Sequence, residues 1–150
     1  MANPTTTAQR IFDIAMGLMA EVNDSTGATD YSDTKEYKVR TLLILNALRG
    51  ELYPYSDTYR AEGDGTRPIC RFISGFGDVV GLDDYICQSV LPYGLAAQLL
   101  LDENTTAASF LQQRYEELRD SLTRGMPKTS ESIEDCYGVV SHPYNHFSRW

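Results

Sequence analysis

Apolar residues recur at three- and four-residue steps in four stretches of the chain, and this spacing predicts four amphipathic α-helices. The first stretch covers about residues 7–22, and Thr6 or Thr7 can cap its start. The second begins at Asp33, which has Glu36 three positions later in the spacing of a capping box, and it ends at Pro54, which has no N–H for a helical hydrogen bond. Its broad apolar face comprises Val39, Leu42, Leu43, Leu45, Leu48 and Leu52.

The third and fourth helices are predicted in the second half of the chain. The third begins near Asp83 as its N-cap, and Pro92 lies within its pattern, so we expect a kink or a break there. Its stretch 95–101 is apolar on nearly every side, which is typical of a central, buried helix. The fourth helix is capped by residue 104 or 105 and closes at Gly125.

Helical periodicity is missing from two parts of the chain. Residues 53–81 are compatible with a small hairpin between 69–73 and 79–80, and equally with an irregular crossover packed on the helices. After Gly125 the periodicity ends. We therefore predict an all-α protein: a bundle of about four helices in residues 1–124, an irregular crossover, and an extended C-terminal arm in residues 125–150.

Composition narrows the possible functions. The 150 residues carry 13 Lys and Arg against 21 Asp and Glu, a net charge of -8 that should repel phosphate and makes non-specific nucleic-acid binding improbable. The three cysteines form no CxxC pair, which favours a reducing compartment. The first residues lack a basic signal region, and the longest aliphatic run is 42–45, so we expect a protein of the cytoplasm without a membrane span.

Motifs for catalysis or cofactor binding are sparse. Gly75 and Gly77 form a GxG without the third glycine or the Lys-Ser/Thr of a phosphate-binding loop. Cys136, His142 and His146 could supply three zinc ligands, but a proline lies between the histidines and a fourth ligand is missing. We therefore expect no catalytic residue, no metal and no cofactor.

One acidic motif supports an alternative. The stretch 116–120, Glu-Glu-Leu-Arg-Asp, resembles half of the magnesium-binding signature of all-α nucleotide pyrophosphohydrolases, and its first and last acids share a helix face. A second acidic helix is required for such a site. Its candidate acids are Glu131, Glu134 and Asp135. They lie in a weakly helical segment beyond Pro127 that has no apolar face to hold them in place. A solvated acidic face is the simpler interpretation, and the enzyme is kept as the alternative.

Aromatic residues cluster around Pro54 and in the C-terminal tail. The tyrosines near Pro54 either plug the open end of the bundle or belong to a protein interface, where tyrosine is enriched. Flexible linkers usually lack aromatic residues, so the tail is expected to bind something. The predicted interface residues are Tyr53, Tyr55, Tyr59, Tyr137, Tyr144, Phe147 and Trp150.

Three stretches resemble head–tail connector (adaptor) proteins of tailed phages and prophages. Residues 36–53 are similar to the second helix of that family, with its Leu-Asn-x-Leu core present here as Leu-Asn-Ala-Leu and followed by aromatic residues. Residues 82–103 resemble the acidic-capped helix rich in alanine and leucine. Residues 107–117 resemble the final helix, with its Arg-Tyr-Glu ending. The segments 54–81 and 125–150 lie outside this pattern.

The resemblance implies a structural protein without enzymatic activity. Connectors of this family assemble as a ring, typically of twelve subunits, beneath the portal protein, where they extend the DNA channel, help retain the packaged DNA and bind the next head-completion or tail protein. The aromatic residues would then contact a neighbouring subunit or the portal. The expected location is the host cytoplasm during assembly and the virion neck afterwards. Another tail-completion or assembly factor, or a small regulatory helical module, remains an alternative to the connector.

Overall fold

The computed structural model describes residues 4–21, 23–56 and 69–125, with side chains through Thr123 in the last segment. Short 3-10 turns at Ser32–Thr34 and Tyr53–Tyr55 flank the second helix. The α-helices are α1 (Ala8–Leu18), α2 (Lys35–Leu52), α3 (Asp84–Ser89), α4 (Leu91–Leu99) and α5 (Thr105–Gly125). No strand occurs among the described residues, and the prediction of an all-α fold is confirmed.

The ends of the first two helices follow local side-chain chemistry. Thr7 caps α1, because its Oγ1 accepts a hydrogen bond from the backbone N of Arg10 at 3.4 Å. The helix ends at Leu18, four residues before the predicted end. Ala20, at φ 59°, then turns the chain away. The second helix begins at Lys35, after the predicted N-cap, because a 3-10 turn occupies the preceding residues.

The predicted third helix is divided into α3 and α4. Val90 separates them, and Pro92 lies in the first turn of α4. Backbone N–H groups in a first turn have no acceptor within the helix, so the missing N–H of proline costs no helical hydrogen bond. The expected break at Pro92 is therefore confirmed. Asn104 caps α5, since its Oδ1 accepts from the backbone N of Ala107 at 3.0 Å.

The core is organised around α4, which packs against α1, α2, α3 and α5. Gly94 allows α4 to approach α5 and α2 closely, because a Cβ added there would lie 2.9 Å from Cδ2 of Tyr115 and 3.1 Å from Cδ1 of Leu48. The buried residues of α4 are Leu91, Pro92, Gly94, Leu95, Ala96, Ala97 and Leu99. Apart from Gln98 and Leu101, which are exposed, the predicted central position of 95–101 is confirmed.

The described part of the crossover, 69–83, is irregular, and the hairpin between 69–73 and 79–80 does not form. Its backbone groups are bonded elsewhere: the backbone N and O of Ile73 pair with the side chain of Asn46 at 3.0 and 2.9 Å. Val80 donates its backbone N–H to Thr6 O at 2.9 Å, and Thr7 forms an isolated antiparallel bridge with Val79. The crossover therefore packs between α2 and the segment before α1.

The segment before α1 is also held by α3. The carboxylate of Asp84 accepts four hydrogen bonds, from the backbone N and the side-chain hydroxyl of both Thr5 and Thr6, at 2.7 to 2.9 Å. These bonds, led by the Thr6 hydroxyl, hold the pKa of Asp84 far below its usual range. The predicted arm at 125–150 lies outside the described residues apart from its first residue. Within the described segments, no helix has the length and apolarity needed to cross a membrane.

Candidate interaction surfaces

Large apolar side chains are exposed at several places on the described bundle. Val39 is 78% exposed, Leu43 77%, Phe72 85% and Phe110 69%. The others are Ile69, Val79, Tyr85 and Leu101. Exposed apolar residues are common singly on protein surfaces, whereas groups of them mark sites of association. Apart from Tyr85, which lies on α3, they fall into three groups, on α2, on the crossover, and where α4 meets α5.

The first group lies along the outer face of α2. Val39, Leu43, Ala47 and Gly50 are separated by steps of four, four and three residues, so they share one face, and all four are exposed. We call these four residues the outer stripe. The broad apolar face predicted for this helix was therefore wrong at Val39 and Leu43, whereas Leu45, Leu48 and Leu52 are buried as predicted.

The two flanks of α2 beside the outer stripe differ in charge. Arg49 and Glu51 are two residues apart, so they point about 200° apart around the helix. Arg49 faces the crossover, and Glu51 faces α5, where it accepts from Tyr115 Oη at 3.1 Å and pairs with Arg119. Burial, together with the nearby Glu51 carboxylate, raises the pKa of Tyr115.

Arg49 is a buried cation, only 4% exposed. Its Nε donates to Val80 O at 2.8 Å, and its Nη1 donates to Arg71 O at 2.7 Å and to Asn46 Oδ1 at 3.2 Å. None of these partners carries a negative charge, and no ion pair of Arg49 occurs within the described segments. Neutral acceptors solvate a guanidinium without neutralising it, and a buried charge is usually paired.

The second apolar group surrounds this buried cation. A cleft of about 350 Å³ is lined by both Arg49 and Arg71, and by the second exposed group, Ile69, Phe72 and Val79. We call these five residues the arginine cleft. Asp78 also contributes to the lining, but its carboxylate accepts from the backbone N of Ser74 and Gly75 at 2.9 and 2.8 Å. Those backbone hydrogen bonds lower the pKa of Asp78.

The third apolar group flanks a hollow of about 490 Å³ between the end of α1 and the start of α5. Leu18, Tyr93, Phe110 and Leu111 are among its lining residues, together with Glu103. Glu103 accepts a hydrogen bond from the hydroxyl of Tyr37. Burial, followed by this hydrogen bond, raises the pKa of the tyrosine.

The acids of the alternative magnesium site are paired along their own helix. Gln112 donates to Glu116 at 2.9 Å, and Arg114 pairs with Glu117 at 3.2 Å. Asp120 lies 3.9 Å from Arg119. Within 4–21, 23–56 and 69–125, no three His, Cys, Asp or Glu residues are grouped so that they could hold a metal. The second acidic segment needed for this site lies outside the described residues.

The aromatic residues predicted to form an interface are only partly covered by the structure. Tyr53 and Tyr55 are half-buried in the 3-10 turn that follows α2, and Tyr55 packs against the core. The remaining predicted residues, Tyr59, Tyr137, Tyr144, Phe147 and Trp150, lie outside the described segments.

Sequence reasoning missed the outer stripe and the arginine cleft. One signal for the stripe was present: a run of four apolar residues at 42–45 spans more than one face of a helix, so part of it has to point outward.

Comparison of the chain with protein-family models, with curated proteins and with solved structures gave no match. The function is therefore argued from the sequence pattern and the surfaces described above.

Proposed function

We propose that the chain is a structural subunit of a tailed phage or prophage particle, a head–tail connector (adaptor) that forms a ring beneath the portal protein. In that position it extends the DNA channel, helps retain the packaged DNA and binds the neighbouring head-completion or tail protein. The observation that carries the proposal is the presence of exposed apolar groups on different parts of one small helical bundle, the outer stripe and the arginine cleft among them.

A ring of identical subunits requires two different contact surfaces on each copy. Its interface is heterologous, so one face of a subunit packs against another face of the next. A dimer with two-fold symmetry needs only one such surface. The outer stripe is apolar and the arginine cleft adds positive charge, so the two surfaces differ in chemistry. The presence of two unlike surfaces on one subunit favours a ring over a simple dimer.

The charge of the chain is compatible with a channel for DNA. A net charge of -8 repels phosphate, so DNA would pass through such a ring without being bound. The resemblance of residues 36–53, 82–103 and 107–117 to connector helices is the second support, and these stretches coincide closely with α2, with α3 and α4, and with the first half of α5.

Quantitative mass spectrometry of purified particles, obtained by inducing the prophage of the source organism, tests the proposal. We expect the chain in finished particles at a copy number similar to that of the portal protein. Absence from particles, with abundant chain in the lysate, would contradict the connector and favour the pyrophosphohydrolase or a regulator. A copy number far below that of the portal would favour another tail-completion factor.

A pair of variants links the test to the structure. Leu43→Glu places a charge in the outer stripe, whereas Thr106→Glu places the same charge at another exposed position, in the first turn of α5. Neither residue is buried, so both variants should fold. We expect Leu43→Glu to lower the yield of infectious particles in a complementation assay, and Thr106→Glu to leave it unchanged. Equal yields would show that the outer stripe is not a particle interface.

A further inference from the structure

We propose that the arginine cleft binds residues 126–150 of a second copy of the chain, and that the segment 131–137, which is acidic and contains a tyrosine, is the part that contacts the cleft. The inference rests on the proposed ring, since it names the surfaces by which neighbouring copies join.

The charge of the cleft points to an anionic partner. Arg49 is buried and has only neutral acceptors among the described residues, and the exposed Arg71 lines the same cleft. Asp78, the acid beside them, is bonded to backbone N–H groups. In a chain with a net charge of -8, two arginines at one cleft are a local reversal of sign. The Asp78 carboxylate offsets one of the two positive charges, so the cleft keeps a net charge of +1, which an incoming carboxylate would neutralise.

The apolar walls of the cleft add a second requirement. Ile69 is 80% exposed, Phe72 85% and Val79 47%. A partner that fills the cleft therefore needs apolar or aromatic side chains next to its acids. The segment 131–137, Glu-Ser-Ile-Glu-Asp-Cys-Tyr, has this composition, with three acids, an isoleucine and a tyrosine within seven residues. Charge and hydrophobicity thus match between the cleft and this part of the chain.

The position where the segment begins favours a second copy. The last turns of α5 lie on the Glu51 flank of α2, where Arg119 pairs with Glu51, and residues 126–150 follow that helix. The cleft lies on the Arg49 flank, about 200° around the same helix. The C-terminal segment therefore begins on one face of the subunit, and the cleft lies on another. A head-to-tail ring needs this arrangement.

Length alone does not decide between a second copy and the same chain. The five residues 126–130, which join α5 to the segment 131–137, allow a reach of up to about 20 Å when extended, and this exceeds the diameter of a helix, about 10–12 Å. The test therefore has to distinguish contacts between chains from contacts within one chain.

The experiment is photo-cross-linking of the full chain with p-benzoylphenylalanine in place of the exposed Ile69. Chains labelled with ¹⁴N and ¹⁵N are mixed in equal amounts at about 1 mM, a concentration at which even a millimolar affinity fills a large share of the clefts. Peptides joined to residue 69 are then identified by mass spectrometry. Contacts between chains give mixed-isotope pairs in half of the cross-linked species, whereas contacts within one chain give none.

We expect cross-links from position 69 to residues 131–137, with mixed-isotope pairs. Arg71→Glu should lower their yield by about tenfold or more, because an attractive charge pair becomes a like-charge pair. Arg10→Glu, the same charge change at an exposed site on α1, should leave the yield unchanged. Combining Arg71→Glu with the single reversal Glu134→Lys should restore part of it, because the remaining acids of the segment can still meet Arg49.

Three results would overturn the inference: cross-links that never reach residues 126–150, cross-links to that segment with same-isotope pairs only, or an equal loss of yield for Arg71→Glu and Arg10→Glu. The cross-linking uses only purified chain, whereas the connector proposal is tested on purified particles. A failure of the cleft proposal can therefore be distinguished from a failure of the connector proposal. Copies that join through the cleft but are absent from particles would contradict the connector alone, and copies present in particles without these cross-links would contradict the cleft alone.

Discussion

Helices α2 and α4 are both rich in leucine, yet they use it differently. In α4 the side chains of Leu91, Leu95 and Leu99 are fully buried, and the helix is packed on nearly every side. In α2, Leu45 and Leu52 are fully buried, but Leu43 on the outer face is 77% exposed. The apolar surface of α4 is largely buried within the subunit, whereas part of the apolar surface of α2 is exposed.

This difference separates residues that stabilise the fold from residues that are available for association. Burial of a leucine side chain contributes about 2 kcal/mol to folding, and an exposed leucine contributes little of this. An apolar residue that stays in water is therefore retained for another purpose or is neutral. The comparison predicts that substitutions in α4 affect stability, and that substitutions in the outer stripe affect assembly.

The largest effect is expected from the same substitution made in the two helices. Leu95→Ala should lower the free energy of unfolding by about 2–5 kcal/mol, because it leaves a cavity at a fully buried site. Leu43→Ala should change it by less than about 0.5 kcal/mol, since its side chain is already in water. Urea denaturation followed by circular dichroism measures both. If both variants lost a similar free energy of unfolding, Leu43 would contribute to the fold as Leu95 does, and the proposed difference between α2 and α4 would be wrong.

A smaller effect is expected where Gly94 of α4 lies against Tyr115 of α5. Gly94→Ala places a Cβ 2.9 Å from the ring of Tyr115, so that ring or the helix has to move. Overpacking costs about 1–3 kcal/mol, which exceeds the gain of up to about 1 kcal/mol in helix propensity. Gly50→Ala is the matched control, because a Cβ there meets no atom within 4 Å. We expect the first variant to be destabilised and the second to be neutral or stabilised, as judged by thermal melting.

The smallest effect is expected at the edge of the buried region, where Asp84 holds Thr5 and Thr6. Its pKa is lowered in the folded state, so the carboxylate stabilises the fold above its unfolded pKa of about 3.9, and this contribution is lost as the pH falls below that value. Asp84→Asn should therefore melt several degrees below the parent chain at pH 7. The gap should narrow below about pH 4, and a gap independent of pH would show that the charge of Asp84 does not matter.

Much of the fold could be predicted because its signals are local. The cap at Thr7, the break at Pro92 and the cap at Asn104 each depend on residues within a few positions, and the structure has all three. The register of apolar residues also predicted the central position of α4. Local chemistry and tertiary packing agree at these sites, so sequence reasoning succeeds there.

The interaction surfaces could not be predicted to the same extent, because they depend on distant contacts. Arg49 reads as a surface residue in the sequence, but its burial depends on the carbonyls of Arg71 and Val80, 22 and 31 positions away. Of the two alternatives for the crossover, the hairpin does not form for a related reason, since the side chain of Asn46 bonds the backbone N and O of Ile73. Within the run 42–45, hydrophobicity alone could not identify Leu43 as the outward-facing leucine.

Hydroxyl-radical footprinting of the chain, free in solution and within purified particles, tests the central claim most directly. Side-chain oxidation reports solvent exposure, and Leu43 and Phe72 are both highly exposed in the single chain. The account predicts that oxidation of both residues falls severalfold in the particle. Oxidation that stays unchanged, or particles that lack the chain, would contradict the claim that these exposed apolar residues are contacts between subunits of a connector ring.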